Sequence, residues 1–307
     1  MAGRPADRSG DRVGRLCPCH HSAGSRCRRL DADPRQASRR AGAGRFRTSG
    51  VAAVGERAVT RSVVVTGAAH GIGAAVARRL SGAGARVHAV DAAGDPEITA
   101  VVADPAAGGV SVVTGDVTDP ALPAAVIERA GADGDLDGLV ISAALQSGDT
   151  LTDFDPQHWQ RVLEVNAVAA AAWAAEFARS CTRPAAIVLV SSIHAGVAGT
   201  GGAAYAASKA ALTSLGRQLA VELGPLGIRA NVVEPGFVAV QRNRHRWEPT
   251  EAYAERRRDN PLGRVAEADD VAAVVEFLLS DGARHVNGVA LRVDGGQSAG
   301  IGPFGQE

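Results

Sequence analysis

Residues 62–73 read SVVVTGAAHGIG, and this stretch decides the fold. The β-branched run Ser62–Thr66 is typical of a buried parallel strand. Glycines follow the run at Gly67, Gly71 and Gly73. A helix comes next, marked by apolar residues on one face at Ile72, Val76 and Leu80. A glycine-rich turn between a strand and a helix lets backbone amides approach a pyrophosphate at the helix N-terminus, so we predict a dinucleotide site here.

Six further short apolar runs follow the same pattern along the chain. We predict strands at 86–90, 110–114, 138–141, 186–190, 228–232 and 289–293. Helical spacing of apolar residues marks the segments 156–180, 204–223 and 268–280. Alternating strands and helices predict an α/β fold: a doubly wound, mostly parallel seven-stranded sheet with helices on both faces (Rossmann-type), in a single domain. Such sheets bind ligands at the carboxyl ends of their strands.

Acidic and small residues stand where the first strands end. Asp91 closes the second strand about 20 residues beyond the glycine turn, where an acid accepts hydrogen bonds from the adenosine ribose and repels a 2′-phosphate. No arginine follows Asp91 directly, which favours NAD(H) over NADP(H). An aspartate in a strand-end loop without a cofactor role is the alternative. Asp116 and Val117 follow the third strand, well placed beside an adenine ring, and the fourth strand ends in Ser142 and Ala143.

Lys209 is the only lysine in a chain that holds 33 lysines and arginines together. Arginine is therefore the default cation, and a retained lysine indicates a need for a compact ammonium. Tyr205 stands four residues earlier, on the same face of a helix. An ammonium beside a phenol favours its ionised form, so we expect Lys209 to lower the pKa of Tyr205 and make it a usable acid or base. A surface Tyr/Lys pair is the alternative.

Three more polar residues and a Pro-Gly pair belong to this group. Asn166 falls in the middle of the helix predicted at 156–180, where asparagine is a poor helix former. It is a candidate for a kink or a water-holding site, and the alternative is an asparagine that faces solvent. Ser191 and Ser192 end the fifth strand, and Pro235-Gly236 follows the sixth.

These residues together resemble the short-chain dehydrogenase/reductase family, in its single-domain branch. The resemblance runs from about Ser62 to Ser298. Ser192 precedes Tyr205 by 13 residues, the spacing that the family uses. The motifs that carry the resemblance are Thr66-Gly67-x-x-x-Gly71-Ile72-Gly73, Asp116-Val117, Asn166, Ser192, Tyr205-x-x-x-Lys209 and Asn231-x-x-x-Pro235-Gly236.

The resemblance implies a mechanism. Tyr205 exchanges a proton with the alcohol or carbonyl oxygen of the substrate, and Ser192 hydrogen-bonds that oxygen. Lys209 lowers the phenol pKa and holds the nicotinamide ribose, and Asn166 holds a water that links Lys209 to solvent. Cofactor-binding roles are implied for Gly67, Gly71, Ile72, Gly73, Asp91, Asp116, Val117, Ser142, Ala143, Tyr205, Lys209, Pro235, Gly236 and Val238.

The sequence departs from the family pattern at two places. The motif after the fourth strand usually reads Asn-Asn-Ala-Gly, and here it is Ile141-Ser142-Ala143-Ala144. The threonine usually found four residues after the Pro-Gly glycine is Val240. Neither departure touches Asn166, Ser192, Tyr205 or Lys209, so we expect altered cofactor affinity and intact chemistry.

The segment Phe237–Leu262 is expected to cover the substrate as a mobile lid. Six arginines lie in it: Arg242, Arg244, Arg246, Arg256, Arg257 and Arg258. They form either a basic mouth for a carboxylate- or phosphate-bearing substrate or the solvated face of a helical lid. His194 and Gln146 follow active-site strands and are expected to line the substrate pocket.

Composition separates residues 1–60 from the rest. The first 60 residues hold 13 arginines against five acidic residues, a charge of +8, and the remainder carries −8. We expect a disordered Arg-rich leader over 1–60, which is either an organellar transit peptide or no part of the natural protein, and a nucleotide-binding domain over 61–307. The intact mass of the natively expressed protein tests the second possibility, since a mature N-terminus near residue 1 would contradict it. The spacing of Cys17, Cys19, His20, His21 and Cys27 is irregular, so no metal site is expected.

The sequence therefore predicts an enzyme that transfers a hydride between NAD(H) and a secondary alcohol or ketone. The alternatives are an NADPH-dependent 3-oxoacyl-type ketoreductase and a non-catalytic NAD-binding regulatory protein. The acidic body argues against nucleic acid as a partner, and no apolar run reaches the roughly 18 residues that span a bilayer. A single cysteine in the body, Cys181, fits a reducing compartment, so we expect a cytoplasmic protein. The helices 156–180 and 204–223 are expected to pack in a homotetramer or homodimer.

Overall fold

The computed structural model describes residues 61–92, 109–133, 135–248 and 250–300, all within one compact unit, Glu56–Glu307. The leader predicted over residues 1–60 lies outside the described residues, and the domain boundary at residue 61 stays a prediction.

The main sheet contains seven strands in the order β3-β2-β1-β4-β5-β6-β9, and every neighbouring pair is parallel. Its strands are β1 (Arg61–Thr66), β2 (Arg86–Asp91), β3 (Val110–Thr114), β4 (Asp135–Ile141), β5 (Ala185–Val190), β6 (Ile228–Pro235) and β9 (Ala290–Val293). Two short strands, β7 (Val238–Ala239) and β8 (Ala266–Glu267), form a separate parallel pair. The predicted doubly wound sheet is confirmed.

Helices cover both faces of the sheet. They are α1 (Gly71–Gly82), α2 (Leu122–Ala132), α3 (Pro156–Leu163), α4 (Ala169–Ser180), α5 (Ala203–Leu223), α6 (Thr250–Arg258) and α7 (Ala268–Leu279). Short 3₁₀ segments are found at Leu151–Asp153, Ile193–Ala195, Gly224–Leu226, Gln241–Arg246 and Asp281–Ala283.

Two apolar cores hold these layers together. One lies between the sheet and the helices α1 and α7, with Val76 and Val275 in contact with strand residues such as Val65. The other lies on the opposite face, where Trp173 of α4 and Leu212 of α5 are fully buried. Burial on both faces explains why the central strands are continuous apolar runs, since a parallel sheet of this kind meets water on neither side.

The segment 156–180 is not one helix. Asp155 caps α3 by accepting a hydrogen bond from the amide of Gln157, but α3 and α4 are separated by a π-helical turn at Glu164–Val168. Asn166 lies in this turn and is 1% exposed, so the helix is irregular at this residue and the solvent-facing alternative is wrong. A π turn of this type is a common feature of functional sites.

The sheet differs from the sequence pattern in smaller ways. β6 extends to Pro235, three residues beyond the predicted end, because its last residues pair with β9. The sequence pattern did not predict α2 or the β7–β8 pair. Within the described ranges, no helix is both long and apolar enough to cross a membrane.

Candidate active site

The glycine turn closes tightly against the end of β4. Gly67 has φ +68°, and a Cβ there would lie 2.6 Å from the backbone nitrogen of Ala143. A Cβ at Gly73 would lie 2.0 Å from the carbonyl oxygen of Gly67. Only glycine fits either position, so backbone amides line the start of α1 without side chains in the way. This cradle fits the pyrophosphate of a dinucleotide.

Asp91 braces the same turn. Its Oδ2 accepts a hydrogen bond of 2.8 Å from the amide of Ala69, and its Oδ1 accepts one of 2.8 Å from the amide of Ala92. The end of β2 is thereby tied to the glycine turn. A carboxylate has further acceptor capacity beyond these two bonds, so a ribose contact by Asp91 stays a prediction.

Asp116 and Val117 are held by other side chains. The amide and hydroxyl of Thr118 both donate to Asp116, and Arg161 of α3 forms an ion pair with it at 2.7 Å. The hydrogen bonds from Thr118 lower the pKa of Asp116. The indole of Trp173 donates to the carbonyl of Val117 at 3.1 Å. The loop after β3 is therefore fixed against α3 and α4.

Ser142 and Ala143 lie beside the glycine turn, as their motif predicts. The amide of Ser142 donates to the carbonyl of Thr66 at 3.2 Å, and the amide of Ala143 lies 3.4 Å from the Thr66 hydroxyl. The ends of β1 and β4 are thus joined at the point where Gly67 turns away.

Asn166 connects this sheet edge to the helix that carries Tyr205. Its side-chain oxygen accepts from the amide of Leu145 at 2.7 Å, and its side-chain nitrogen donates to the Leu145 carbonyl at 2.9 Å. The same nitrogen donates to the hydroxyl of Ser208 at 2.9 Å, and that hydroxyl donates to the carbonyl of Tyr205 at 2.7 Å. The π turn therefore fixes both the loop after β4 and the first turn of α5.

Lys209 is 2% exposed, on the buried face of α5. Its ammonium donates to the carbonyl of Val190 at 2.8 Å and lies 5.5 Å from the centroid of the Tyr205 ring. Burial, reinforced by the positive charge of Arg242, lowers the pKa of Lys209 to about 7. The sole lysine is therefore an interior group beside the phenol, and the surface-pair alternative is wrong.

Tyr205 and Ser192 lie together at the mouth of this group. Burial raises the pKa of the Tyr205 phenol, while hydrogen bonding from Ser192 and the charge of Arg242 oppose that rise. The expectation that Lys209 lowers the phenol pKa is therefore not met in this structure. The opposing contributions come from Ser192 and Arg242, whereas Lys209, with a pKa of about 7, is uncharged at the pH where the phenol ionises.

A buried polar chain runs behind Lys209 and Ser192. The Ser191 hydroxyl donates to the carbonyl of Lys209 at 2.8 Å, and the Thr213 hydroxyl lies 2.9 Å from Ser191. Thr213 also lies 3.0 Å from a carboxylate oxygen of Glu234, which is 6% exposed. Arg292 of β9 reaches the other oxygen of Glu234 at 3.4 Å. This chain ties α5 to the ends of β5, β6 and β9.

The two predicted substrate-lining residues differ in position. The His194 ring lies 6.5 Å from the Tyr205 ring, edge-on, and its amide donates to the Ser192 hydroxyl at 3.2 Å. Gln146 is exposed in the loop after β4. Among the described residues, its side chain makes no hydrogen bond to the group around Tyr205, so its role stays a prediction.

Pro235 and Gly236 end β6 against the last segment of the domain. The amide of Gly236 donates to the carbonyl of Val293 at 3.1 Å, and a Cβ at Gly236 would lie 2.8 Å from the Asp294 side chain. Val238 is buried in β7, where its carbonyl accepts from the Asn243 side chain at 2.8 Å. Val240 lies against Gly71, so the loop after β6 meets the glycine turn.

The sequence did not single out Ser208, Thr213, Glu234 or Arg161. Each acts by holding a predicted residue: Ser208 holds Asn166, Thr213 and Glu234 brace the strand end that bears Ser192, and Arg161 pairs with Asp116. Of these four residues, only Glu234 could have been found from the sequence, because a carboxylate in an apolar strand needs a partner. The others depend on side-chain contacts between segments more than 20 residues apart.

Comparisons with known proteins agree with this arrangement. A family model described as Enoyl-(Acyl carrier protein) reductase matches residues 67–298. The cis-4-hydroxycyclohexanecarboxylate dehydrogenase of Sinomonas cyclohexanicum is 38% identical, over 80% of this chain and 100% of its own length. The L-rhamnose 1-dehydrogenase (NAD(P)(+)) of Azotobacter vinelandii is 36% identical, over 78% of this chain and 96% of its own. A short chain dehydrogenase from Burkholderia cenocepacia, solved in complex with NADP, superposes with a TM-score of 0.73 and 33% identity over 79% of this chain and 99% of that one.

The family model spans most of the chain, and both enzymes align over nearly their whole lengths. The sheet order, the glycine turn and the resemblance drawn from the sequence lead to the same assignment. The chain belongs to the short-chain dehydrogenase/reductase family and is an NAD(P)-dependent oxidoreductase that acts on CH–OH groups.

Proposed function

We propose that this protein catalyses reversible hydride transfer between NAD(H) and a secondary alcohol or ketone, with Tyr205 as general acid and base. The observation that carries the proposal is the position of Lys209, buried 5.5 Å from the Tyr205 ring at the carboxyl edge of the sheet. A lysine that only made the protein soluble would not be buried at this point.

Each residue has a defined task in the proposal. Tyr205 gives a proton to the carbonyl oxygen during reduction and takes it back during alcohol oxidation. Ser192, whose side chain favours the ionised form of the phenol, donates to the same substrate oxygen as charge develops on it. Asn166 keeps Tyr205 in position through Ser208 and, by the family resemblance, holds a water that connects Lys209 to solvent.

The cofactor supplies the redox chemistry: NAD(H), when bound, accepts or provides the hydride. The cradle formed at Gly67, Gly71 and Gly73 would hold its pyrophosphate, and Ile72 would support the start of α1. Asp91 would contact the adenosine ribose, and Asp116 with Val117 would lie beside the adenine. Lys209 and Tyr205 would contact the nicotinamide ribose, with Ser142, Ala143, Pro235, Gly236 and Val238 around the remaining groups.

We infer a preference for NAD(H) over NADP(H). A carboxylate at Asp91 repels a 2′-phosphate, and the residue after it, Ala92, is not a cation. The carboxylate is already held in place by the amides of Ala69 and Ala92, which preorganises it for a ribose hydroxyl. The two named relatives act on a hydroxylated cyclohexanecarboxylate and on a sugar, so their substrates share a CH–OH group and little else.

The alternatives predict different kinetics. An NADPH-dependent 3-oxoacyl-type ketoreductase would prefer NADPH and acyl thioesters. A non-catalytic NAD-binding regulatory protein would bind NADH without turnover.

The test follows absorbance at 340 nm for NADH and NADPH over a panel of ketones, hydroxy acids, sugars and 3-oxoacyl thioesters. We expect turnover of at least one secondary alcohol or ketone with NADH and a lower kcat/KM with NADPH. Preference for NADPH with thioesters supports the first alternative, and NADH binding without turnover across the panel supports the second.

We also propose a cytoplasmic location and a homotetramer or homodimer. The proposal for assembly is supported by exposed apolar side chains on the segments expected to pack, Val168 at 62% and Val221 at 74% exposure. Mass photometry tests it: a single monomer peak at micromolar concentration would contradict assembly.

A further inference from the structure

Arg242 lies on the lid and reaches across to the opposite side of the site. It belongs to the 3₁₀ segment Gln241–Arg246 that follows β7, and its Nη1 lies 3.5 Å from the carbonyl oxygen of Ala144 beyond β4. These two residues are separated by 98 positions in the chain. Ala144 is followed by Leu145, whose backbone is bonded to Asn166. The guanidinium of Arg242 therefore lies over the sheet edge where Tyr205 is held.

The charge of Arg242 is not compensated within the described part of the chain. No described acidic side chain forms an ion pair with it. Three of the other five lid arginines are engaged: Arg244 pairs with Glu248, Arg256 pairs with Asp259, and Arg246 lies over the Phe237 ring at 5.4 Å. The contact of Arg242 with Ala144 is long for a hydrogen bond and involves a neutral carbonyl, so most of its five donors remain available.

The field of Arg242 acts at the reacting groups. Its positive charge lowers the pKa of both Tyr205 and Lys209. The guanidinium contacts Ala144 beside this edge, so it is placed to interact with a molecule that contacts the phenol. An anionic group bound there would neutralise a charge that acts on both residues, and arginine matches a carboxylate with two parallel hydrogen bonds.

We propose that Arg242 is the carboxylate receptor of the substrate site, so that the substrate of this enzyme is a hydroxy acid or oxo acid. The assignment rests on the proposed function and adds the substrate class to it. Arg242 holds the carboxylate on the lid side while the CH–OH carbon lies at Tyr205 and Ser192.

The pyrophosphate of the cofactor is a second anionic group that an arginine at this position can bind. Val240, two residues before Arg242, lies against Gly71 of the glycine turn, so this source has to be separated by experiment. A pyrophosphate contact would make Arg242 a determinant of cofactor affinity. A substrate contact leaves cofactor affinity unchanged and makes affinity for acids depend on Arg242.

The test uses calorimetry, which needs no turnover. NADH is titrated first into the wild type, Arg242→Gln and the control Arg244→Gln, which removes one charge from the same 3₁₀ segment. Cyclohexanecarboxylate and the neutral cyclohexanecarboxamide are then titrated into each protein saturated with NADH. We expect the wild type and Arg244→Gln to bind the carboxylate roughly 10- to 100-fold more tightly than the amide, as for hydrogen bonds to charged groups. Arg242→Gln should lose this preference and keep its affinity for NADH.

The outcomes test the assignment of Arg242 and the proposed function separately. Normal NADH binding without a carboxylate preference in the wild type, or a preference that survives in Arg242→Gln, overturns the assignment of Arg242. Weaker NADH binding in Arg242→Gln with an unchanged preference assigns the residue to the pyrophosphate and also overturns it. Failure of the wild type to bind NADH contradicts the proposed function, and the assignment fails with it.

Discussion

The ammonium of Lys209 donates a 2.8 Å hydrogen bond to the carbonyl of Val190, the last residue of β5. Ser191 and Ser192 follow directly, and Ser191 bonds back to the carbonyl of Lys209. Lys209 and Ser192, the serine proposed to act on the substrate oxygen, are therefore both fixed by the end of β5. Their relative position depends on the contacts between β5 and α5.

Lys209→Arg should abolish most activity although it keeps the charge. A guanidinium is larger and planar, and it cannot occupy a fully buried site shaped for an ammonium without moving Tyr205 or β5. We expect kcat to fall by roughly 100-fold or more, the scale of lost acid–base catalysis. Far-ultraviolet circular dichroism serves as the control for folding. Turnover like that of the wild type would show that the chain does not keep its lysine for catalysis.

Burial of Lys209 should make stability depend on pH. Its folded pKa is about 7 against an ordinary value of 10.5, so the unfolded chain binds more protons between these values. Stability from this group is fully present above the unfolded pKa and is lost as pH falls through the folded pKa. Lys209→Met has no such dependence. We expect the Tm of the variant minus that of the wild type to be largest near pH 7 and to shrink as pH rises toward 10, and a constant difference would contradict the shift.

The chain has only two tyrosines, Tyr205 and Tyr253, so replacing Tyr253 leaves Tyr205 as the only phenol to titrate. In a Tyr253→Phe background, near-ultraviolet absorbance of the phenolate reports Tyr205 only. We expect a pKa above the ordinary value of about 10, since burial disfavours the phenolate.

Adding Ser192→Ala to that background should raise the Tyr205 pKa further, because the hydrogen bond from Ser192 favours the ionised form. Ser180→Ala is the matched control, since Ser180 is exposed at the end of α4, away from the carboxyl edge of the sheet. A pKa below the ordinary value, or no effect of Ser192→Ala, would contradict the electrostatic description of the site.

Asp91→Ala should weaken the preference for NADH over NADPH. The variant removes the repulsion of a 2′-phosphate and the ribose acceptor together. We expect the ratio of kcat/KM for NADH to that for NADPH to fall roughly tenfold or more, as for the loss of a hydrogen bond to a charged group.

The control for Asp91→Ala is thermal stability, because the carboxylate also holds the amide of Ala69. A lower Tm with an unchanged cofactor ratio would mean that Asp91 only braces the turn.

Sequence reasoning predicted the sheet and its ligand edge well, since apolar β-branched runs and glycine positions are local signals. It grouped Asn166, Ser192, Tyr205 and Lys209 in one site because Ser192 follows a predicted strand and the family resemblance joins the other three to it. It predicted a single helix through Asn166, where the structure has a π-helical turn. The asparagine itself had indicated a local departure from a regular helix.

The remaining features depend on contacts that no local pattern encodes. The link from Asn166 through Ser208 to Tyr205 needs side chains 42 positions apart, and the contact of Arg242 with Ala144 spans 98. The direction of the Tyr205 pKa shift was misjudged for a related reason. Helical spacing showed that Lys209 is near the phenol, but it could not show that burial lowers the pKa of Lys209 to about 7, so that the amine is uncharged where the phenol ionises.

The most direct test of the account is the steady-state rate of Tyr205→Phe with NAD(H) and the best substrate of the panel. The variant keeps the ring and loses only the hydroxyl. We predict that kcat/KM falls by about 10²- to 10⁴-fold while calorimetry shows unchanged NADH affinity, because proton transfer is lost and the cofactor cradle is intact. Turnover at the rate of the wild type would contradict the role of Tyr205 and the mechanism built on it.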